Sequence, residues 1–139
     1  MDVDLSCFSS LTSIDFSFNN ISSFVGIGNI PGLKELLLHK NQLTSLGGAL
    51  YFSGLEHLNV GFNKLKELSG IENLSNLSRL EIYHNSIESL AGLPALKNLK
   101  ELRLEFNNLL DTSILKQLKS LKTITGSGNE KSGTGALQK

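Results

Sequence analysis

The chain has 139 residues and a mass of 15.1 kDa, which suffices for one domain with a continuous core but not for a typical two-domain enzyme. Lys plus Arg and Asp plus Glu each total 13, so the formal net charge is zero, which argues against holding nucleic acid or an anionic membrane by charge alone. The apolar fraction of 40% is that of a soluble globular protein, and no apolar run approaches the ~20 residues that span a bilayer.

Residues 1–10 are interpreted as a partial N-terminal repeat or cap. Leu5 and Phe8 match the last two apolar positions of the repeat that follows, and Asp2 and Asp4 suit the start of a capping helix. Two acids stand where a secretion signal carries positive charge, no long apolar stretch follows, and the single cysteine cannot form an internal disulfide. We therefore expect a cytoplasmic protein.

Residues 11–120 hold five repeats of 22 residues. Five segments share the pattern LxxLxLxxNxL: LTSIDFSFNNI, LKELLLHKNQL, LEHLNVGFNKL, LSRLEIYHNSI and LKELRLEFNNL. Positions are counted from the first Leu of each motif. The asparagine at position nine recurs every 22 residues, at Asn19, Asn41, Asn63, Asn85 and Asn107. An amide side chain both donates and accepts, so we interpret these residues as a structural ladder that satisfies backbone groups at successive corners of the chain.

Within each repeat, apolar residues at positions four and six alternate with polar ones at three, five and seven, which predicts a short strand with one buried face. Copies stacked in register would form a parallel sheet. Later apolar positions spaced by three predict 3₁₀ or irregular turns on the opposite side. A glycine column predicts positive φ at the entry to those turns, at Gly26, Gly48, Gly70 and Gly92. In the fifth repeat, Asp111 to Ser113 predict a capped helix through Gln117 or Leu118.

This motif, in five tandem copies, resembles the leucine-rich repeat family. The resemblance is to its short 22-residue class, typified by protein phosphatase 1 regulators, the axonemal dynein light chain with leucine-rich repeats and bacterial internalins. It implies an α/β solenoid, a right-handed superhelix with a parallel sheet on the concave side and short turns on the convex side. It also implies recruitment of partner proteins rather than catalysis.

Residues 121–139 are interpreted as a degenerate sixth repeat and a flexible tail. The segment LKTITGSGNEK keeps Leu121, Ile124 and Asn129 but places Gly126 and Lys131 where the core wants apolar groups. It is either an incomplete edge strand that closes the sheet or a boundary beyond which more protein was removed. We expect a monomer, and poorly capped ends leave end-to-end association open.

The sequence offers no catalytic pattern. It contains no GxSxG turn, no HExxH, no phosphate-binding GxxxxGK[ST] loop and no paired cysteines. The histidines fall on different strands and columns, which is unsuited to one metal ion. We therefore expect neither an enzyme nor a bound cofactor or metal.

Positions three, five, seven and eight hold both arginines and all three histidines, whereas ten of the eleven lysines lie elsewhere. Arg and Tyr enrichment with Lys depletion is typical of a protein-contact surface, although an extended sheet face also favours such residues. The candidate partner-binding residues are Leu37, His39, His57, Arg79, Glu81, Tyr83, Arg103 and Glu105.

Neighbouring repeats also predict contacts within this surface. Arg79 should pair with Glu101, and Glu81 with Arg103, as cross-strand ion pairs. Leu37 lies where other repeats have a polar residue, and it should outline an apolar patch with a flat floor, together with His39, Gly61 and Tyr83. The phenylalanines at position eight are expected to pack against the corner, and they are Phe18, Phe62 and Phe106.

The function predicted is a non-catalytic protein–protein interaction module that presents a rigid concave sheet to a partner. Three alternatives remain open at this point: a regulatory subunit that tunes a phosphatase or a cytoskeletal motor, a secreted or surface adhesion module, and association with nucleic acid through a partner protein. Direct binding of nucleic acid and attachment to a membrane are not expected.

Overall fold

A computed structural model describes residue 5 and residues 7–129 of the chain. Across this described part, six short strands alternate with turns on the opposite side, four of which are 3₁₀ helices. The strands β1 to β6 are Ser13–Asp15, Glu35–Leu37, His57–Asn59, Arg79–Glu81, Glu101–Arg103 and Thr123–Thr125. The 3₁₀ helices are Gly47–Phe52, Ile71–Asn73, Leu93–Ala95 and Ser113–Gln117.

All six strands of the described part form one parallel sheet in the order β1-β2-β3-β4-β5-β6. Every residue pairs with its equivalent in the next repeat, as Leu36 does with Leu58 and Leu58 with Leu80. Paired residues are therefore offset by one 22-residue repeat throughout the sheet. The parallel sheet with short 3₁₀ turns behind it confirms the predicted α/β solenoid. The sixth repeat contributes a full strand, because β6 pairs with β5 along its whole length.

The core is a stack of apolar layers, one from each turn of the chain. The central residue of every strand points into it, and in the inner turns these residues are essentially inaccessible: Leu36, Leu58, Leu80 and Leu102. The two ends are less well covered because an end turn has a neighbour on one side only. Phe8, expected on an apolar column, is accordingly 52% exposed.

The asparagines at position nine tie successive turns together. The Asn63 Nδ2 donates to the backbone carbonyls of Val60 and of Leu38 in the preceding turn, both at 3.0 Å. Its Oδ1 accepts the backbone N–H of Leu43 at 2.9 Å. The same set of contacts recurs at Asn41, Asn85 and Asn107.

Asn19, in the first repeat, donates to the carbonyls of Phe16 and Ser17 within its own turn. Asn129 repeats the reach of the inner asparagines, because its Nδ2 donates to Leu104 at 2.9 Å. The sixth turn therefore keeps the hydrogen-bonded corner that the position-nine asparagine forms in the inner turns.

Two local predictions need correction. Gly26, Gly70 and Gly92 have positive φ as expected, but Gly48 does not and lies inside the first 3₁₀ helix. A Cβ at Gly48 would overlap the Cβ of Phe24, so this glycine permits close packing instead.

The helix predicted in the fifth repeat ends at Gln117 as expected, but it is a 3₁₀ helix. Only the 3₁₀ helix Ser113–Gln117 forms there. The Oδ1 of Asp111 accepts the backbone N–H of Ser113 at 2.7 Å, which is a side-chain turn rather than a cap on a longer helix.

Some sequence-based predictions lie outside the described residues, namely the capping helix at Asp2 and Asp4, the polar Lys131 and the flexible tail. Among the residues described, no helix has the length and apolar character to traverse a bilayer.

Candidate functional site

The candidate surface is the side of the sheet that faces away from the core. We call it the open face, and it consists of the side chains at positions three, five and seven of each turn. Its rows follow from the strand register: His57 lies between Glu35 and Arg79, and Glu81 lies between Asn59 and Arg103. Equivalent residues of adjacent strands are about 4.8 Å apart, so side chains along one row contact each other directly.

Glu81 is the centre of the open face. It is only 4% exposed, although it belongs to a row that faces solvent. Its Oε1 accepts from His57 Nε2 at 2.9 Å and from Arg79 Nε at 3.1 Å, and its Oε2 lies 3.3 Å from Arg103 Nη1. Three cationic side chains thus surround one buried carboxylate, which satisfies the rule that buried charges are paired.

His57 bridges two carboxylates. Its Nε2 lies 2.9 Å from Glu81, and its Nδ1 lies 2.8 Å from the Oε1 of Glu35. An ionised carboxylate only accepts hydrogen bonds, so both ring nitrogens must donate, and the ring is then the imidazolium. The other oxygen of Glu35 accepts the hydroxyl of Ser13 at 2.6 Å, which fixes the outer end of the chain of contacts.

The pKa shifts agree with this arrangement. The hydrogen bond to Glu81 raises the pKa of His57 above its usual 6.5, with a smaller contribution from Glu35, while burial opposes the rise. The hydrogen bond from His57 lowers the pKa of Glu81, and the nearby Arg79 adds to that effect. The pKa of Glu35 is lowered first by the Ser13 hydroxyl and then by His57. Charge is thus stabilised on all three side chains together.

Arg79 and Arg103 hold their guanidinium groups at the surface, with side chains 45% and 46% exposed. Arg79 lies 3.6 Å from Glu101, and Arg103 Nη2 lies 3.2 Å from Glu105 Oε1. The two predicted cross-strand ion pairs, Arg79 with Glu101 and Arg103 with Glu81, are therefore present, and Arg79 contacts the buried Glu81 as well. The arginines are presented to solvent in fixed positions.

Tyr83 lies flat on the neighbouring turn. A Cβ at Gly61 would come within 2.6–2.9 Å of the tyrosine ring carbons, so the ring occupies the space that a larger residue would fill. The guanidinium carbon of Arg103 stands 4.8 Å from the ring centre, and Phe62 meets the ring edge-on at 5.6 Å. Within the described chain the Tyr83 hydroxyl has no hydrogen-bond partner. The apolar patch expected here therefore has no open floor, because Tyr83 covers Gly61.

Leu37 and His39 belong to the other half of the open face, in the second turn. Leu37 is half-buried beside Asp15 and Asn59, its partners in the register. His39 Nδ1 lies 2.6 Å from the Ser17 hydroxyl. The candidate residues thus divide into a charged group around Glu81 and a smaller group in the first two turns.

The contact between Ser17 and His39 does not form a catalytic arrangement. In a serine nucleophile, one histidine nitrogen takes the hydroxyl proton and the other is held by a carboxylate. Here the Asp15 carboxylate accepts from the backbone N–H of Ser17 at 2.9 Å instead, and no described carboxylate holds the Nε2 of His39. The pair is a surface hydrogen bond.

The residues at position eight form a column along one rim of the sheet. We call it the rim stack, and it consists of Phe18, Lys40, Phe62, His84 and Phe106. All five have left-handed backbones, with φ between 50° and 59°, a conformation that costs a residue with a side chain about 1–2 kcal/mol. The rings of Phe62 and His84 stack at 4.1 Å, and those of His84 and Phe106 at 4.4 Å. Phe62 and Phe106 therefore pack on the two faces of His84, whereas Phe18 contacts His39 and Lys40.

Sequence reasoning missed three features of this surface. Glu35 was not a candidate, although the row argument that paired Arg79 with Glu101 also places it beside His57. The burial of Glu81 was missed as well, because a solvent-facing column does not reveal which side chains fold over which. The left-handed backbone at position eight has no residue-type signal except in the sixth turn, where Gly128 occupies it.

No group of three or more His, Cys, Asp or Glu side chains suited to a metal ion occurs among the described residues. The open face is thus a polar, mixed-charge surface centred on Glu81, with Tyr83 beside it.

Comparison with known proteins gives a consistent picture. A family model for leucine-rich repeats, in two copies, matches residues 53–95. Internalin C2 of Listeria monocytogenes is 28% identical, with a TM-score of 0.82 over 88% of this chain and 54% of that one. The Listeria monocytogenes internalin InlF is 27% identical, with a TM-score of 0.82 over 91% of this chain and 38% of that one.

A leucine-rich repeat protein of Leptospira interrogans is 28% identical, with a TM-score of 0.78 over 86% of this chain and 32% of that one. The chain thus spans about half, or less, of the length of these structures. No curated protein sequence matches it.

Proposed function

Because the chain is a leucine-rich repeat protein, we propose that it is a non-catalytic module that binds another protein through the open face of its sheet. Leucine-rich repeat domains are generally protein-interaction modules, and their extended curved surfaces serve recruitment. In this proposal the open face is the concave side of the solenoid. The partner is a protein, and neither nucleic acid nor a membrane is engaged directly.

The observation that carries the proposal is the preorganisation of the two arginines. Arg79 and Arg103 are about half exposed, yet each is fixed by ion pairs to the buried Glu81. An arginine that is already ordered loses little side-chain entropy when it binds, and its planar donor fork suits carboxylates and carbonyls of a partner. Tyr83, held between Gly61 and Arg103, adds a rigid ring with an unengaged hydroxyl.

We expect Tyr83, Arg79 and Arg103 to be the energetic centre of the contact, with Leu37 as an apolar neighbour. Interface energy concentrates on a few Tyr, Trp and Arg residues, which fits this set. Glu81 is buried, so it contributes by holding its neighbours rather than by touching the partner. Glu105 likewise orients Arg103.

The test is partner capture with matched variants. The wild-type chain, Tyr83→Ala, Arg103→Ala and the turn-side control Lys97→Ala would be used as bait in extracts of the producing cells, followed by mass spectrometry. A partner retained by wild type and control should be lost from the first two variants, and with purified partner each should cost more than about 1 kcal/mol of binding free energy. Retention by both open-face variants and loss with the control would refute the proposal.

The captured partner also separates the narrower functions. A phosphatase catalytic subunit or a motor heavy chain would support a regulatory subunit. The likeness to two internalins favours the alternative of a secreted or surface adhesion module. Fractionation of producing cells distinguishes them, since a cytoplasmic location supports the regulatory role and a surface or secreted one supports adhesion.

A further inference from the structure

Three rings of the rim stack, Phe62, His84 and Phe106, present their edges rather than their faces to solvent. Phe62, His84 and Phe106 are nearly parallel, with interplanar angles of 12° and 16°, so their faces cover one another. The exposed parts of Phe62 and Phe106 are therefore mostly edges. The edge of an aromatic ring carries the positive end of its quadrupole. The Lys40 ammonium lies 4.7 Å from the Phe18 ring centre and 5.5 Å from that of Phe62, which adds a full positive charge to the column.

An open groove of about 440 Å³ runs beside this column. Its lining includes Gln42 and Lys64 on one side, Phe62, His84 and Phe106 on the other, and the asparagines of the ladder between them. None of these lining residues is acidic. Across the described residues, neither Lys40 nor Lys64 forms an ion pair, and the ring nitrogens of His84 have no hydrogen-bond partner. The groove lining therefore carries positive charge and no negative charge.

From this charge pattern we propose that the rim stack and its groove bind an extended, acidic segment of a partner protein. Carboxylates would meet Lys40, Lys64 and the ring edges, while the segment runs across the strands. Positions in alternate turns, such as Lys40 and His84, are about 9.6 Å apart, and a segment in the polyproline II conformation covers about that distance in three residues, which is one full turn, so every third side chain faces the same way. An acidic residue at every third position therefore fits the repeat.

A single-stranded nucleic acid is the competing ligand for a surface with aromatic and cationic groups. Its bases bind by stacking on free aromatic faces. At Phe62, His84 and Phe106 those faces are already used by neighbouring rings at 4.1 and 4.4 Å, so within the described rim stack only Phe18, which stacks on no other ring, could offer a base a face. The peptide is therefore favoured. This contact is separate from the open face and does not depend on that proposal.

The test uses fluorescence anisotropy with a labelled peptide in which the triplet Glu-Gly-Gly is repeated. Peptides with Gln or Lys in place of Glu, and an oligothymidine, are the comparison ligands. The Glu peptide should bind most tightly, and Lys40→Glu with Lys64→Glu should weaken it about fivefold or more, as expected for losing two exposed charge pairs. The control double variant, Lys97→Glu with Lys119→Glu, has the same change of net charge on the turn side and should leave binding unchanged.

NMR of the isotope-labelled full chain then locates the contact. Addition of the Glu peptide should shift the amide signals of Lys40, Phe62, Lys64 and His84 and leave those of Arg79 unchanged. No binding at millimolar peptide overturns the proposal, as does equal binding of the Lys peptide or equal weakening by the control variant. Oligothymidine binding as tight as the Glu peptide would assign the rim to nucleic acid instead.

Discussion

Replacement of Glu81 by glutamine tests whether the buried carboxylate organises the open face. The change keeps the shape of the side chain but removes the charge that three donors share. Hydrogen bonds to charged groups are worth about 1.5–3 kcal/mol each, against about 0.5–1.5 kcal/mol for neutral ones. Arg79 and Arg103 are about half exposed and each has a second carboxylate partner. Because water screens their ion pairs with Glu81, these two contacts contribute little to the free energy of unfolding. We therefore expect Glu81→Gln to lower the free energy of unfolding by about 2–3 kcal/mol.

Urea unfolding followed by circular dichroism, near pH 6, measures this loss, and the denaturant slope should not change. The matched control is Glu101→Gln, whose side chain is 53% exposed and which should cost less than about 0.5 kcal/mol. The pKa of His57, followed by NMR, should fall towards 6.5 in Glu81→Gln because its main stabilising hydrogen bond is weakened. Equal costs for the two variants, or an unchanged pKa of His57, would refute the central role of Glu81.

Two further predictions concern pH and the asparagine ladder. The pKa of His57 in the folded protein is raised above 6.5, so its contribution to the free energy of unfolding is complete below pH 6.5 and declines as the pH rises through the folded pKa. The pKa of Glu81 is lowered below 4.5, so its contribution is complete above pH 4.5 and declines as the pH falls through the folded pKa. The free energy of unfolding should thus be greatest between pH 4.5 and 6.5, and its decline at higher pH should flatten in His57→Ala. An unchanged decline at higher pH in that variant would contradict a protonated His57 in the folded protein. Asn63→Ala should destabilise the fold by about 2–3 kcal/mol, because backbone groups of two turns lose their partners, whereas Asn19→Ala should cost less than half as much, since Asn19 bonds only within its own turn. Similar thermal midpoints for the two asparagine variants would contradict this account.

The fold was predictable from the sequence because a single period determines it. Once Asn41 and Asn63 are known to be equivalent, the register of every strand follows, and so do the neighbours within each row. The pairs of Arg79 with Glu101 and of Glu81 with Arg103 were found in this way. Which residues are neighbours in a row depends only on the pairing of the strand backbones, and that pairing is the same between all adjacent repeats of the sheet.

The details of the surface were not predictable for a different reason. The burial of Glu81 depends on which rotamers His57 and the two arginines adopt together, and a sequence column carries no information about that choice. The ring of Tyr83 lies over Gly61 because the glycine leaves room, which is a contact between different positions in the repeat. Such contacts require coordinates.

The polar bonds of each asparagine have a direction. Asn63 holds the backbone of the turn before it, through Leu38 and Leu43, and the amide that serves its own corner comes from Asn85. A duplicated 22-residue unit inserted between two inner turns would bring one asparagine amide and one set of backbone groups for the next amide to bond. Every pair of adjacent turns would then keep its hydrogen bonds. Length can therefore change in whole units during evolution without redesign of any interface, and a larger or smaller docking platform requires only a change in copy number.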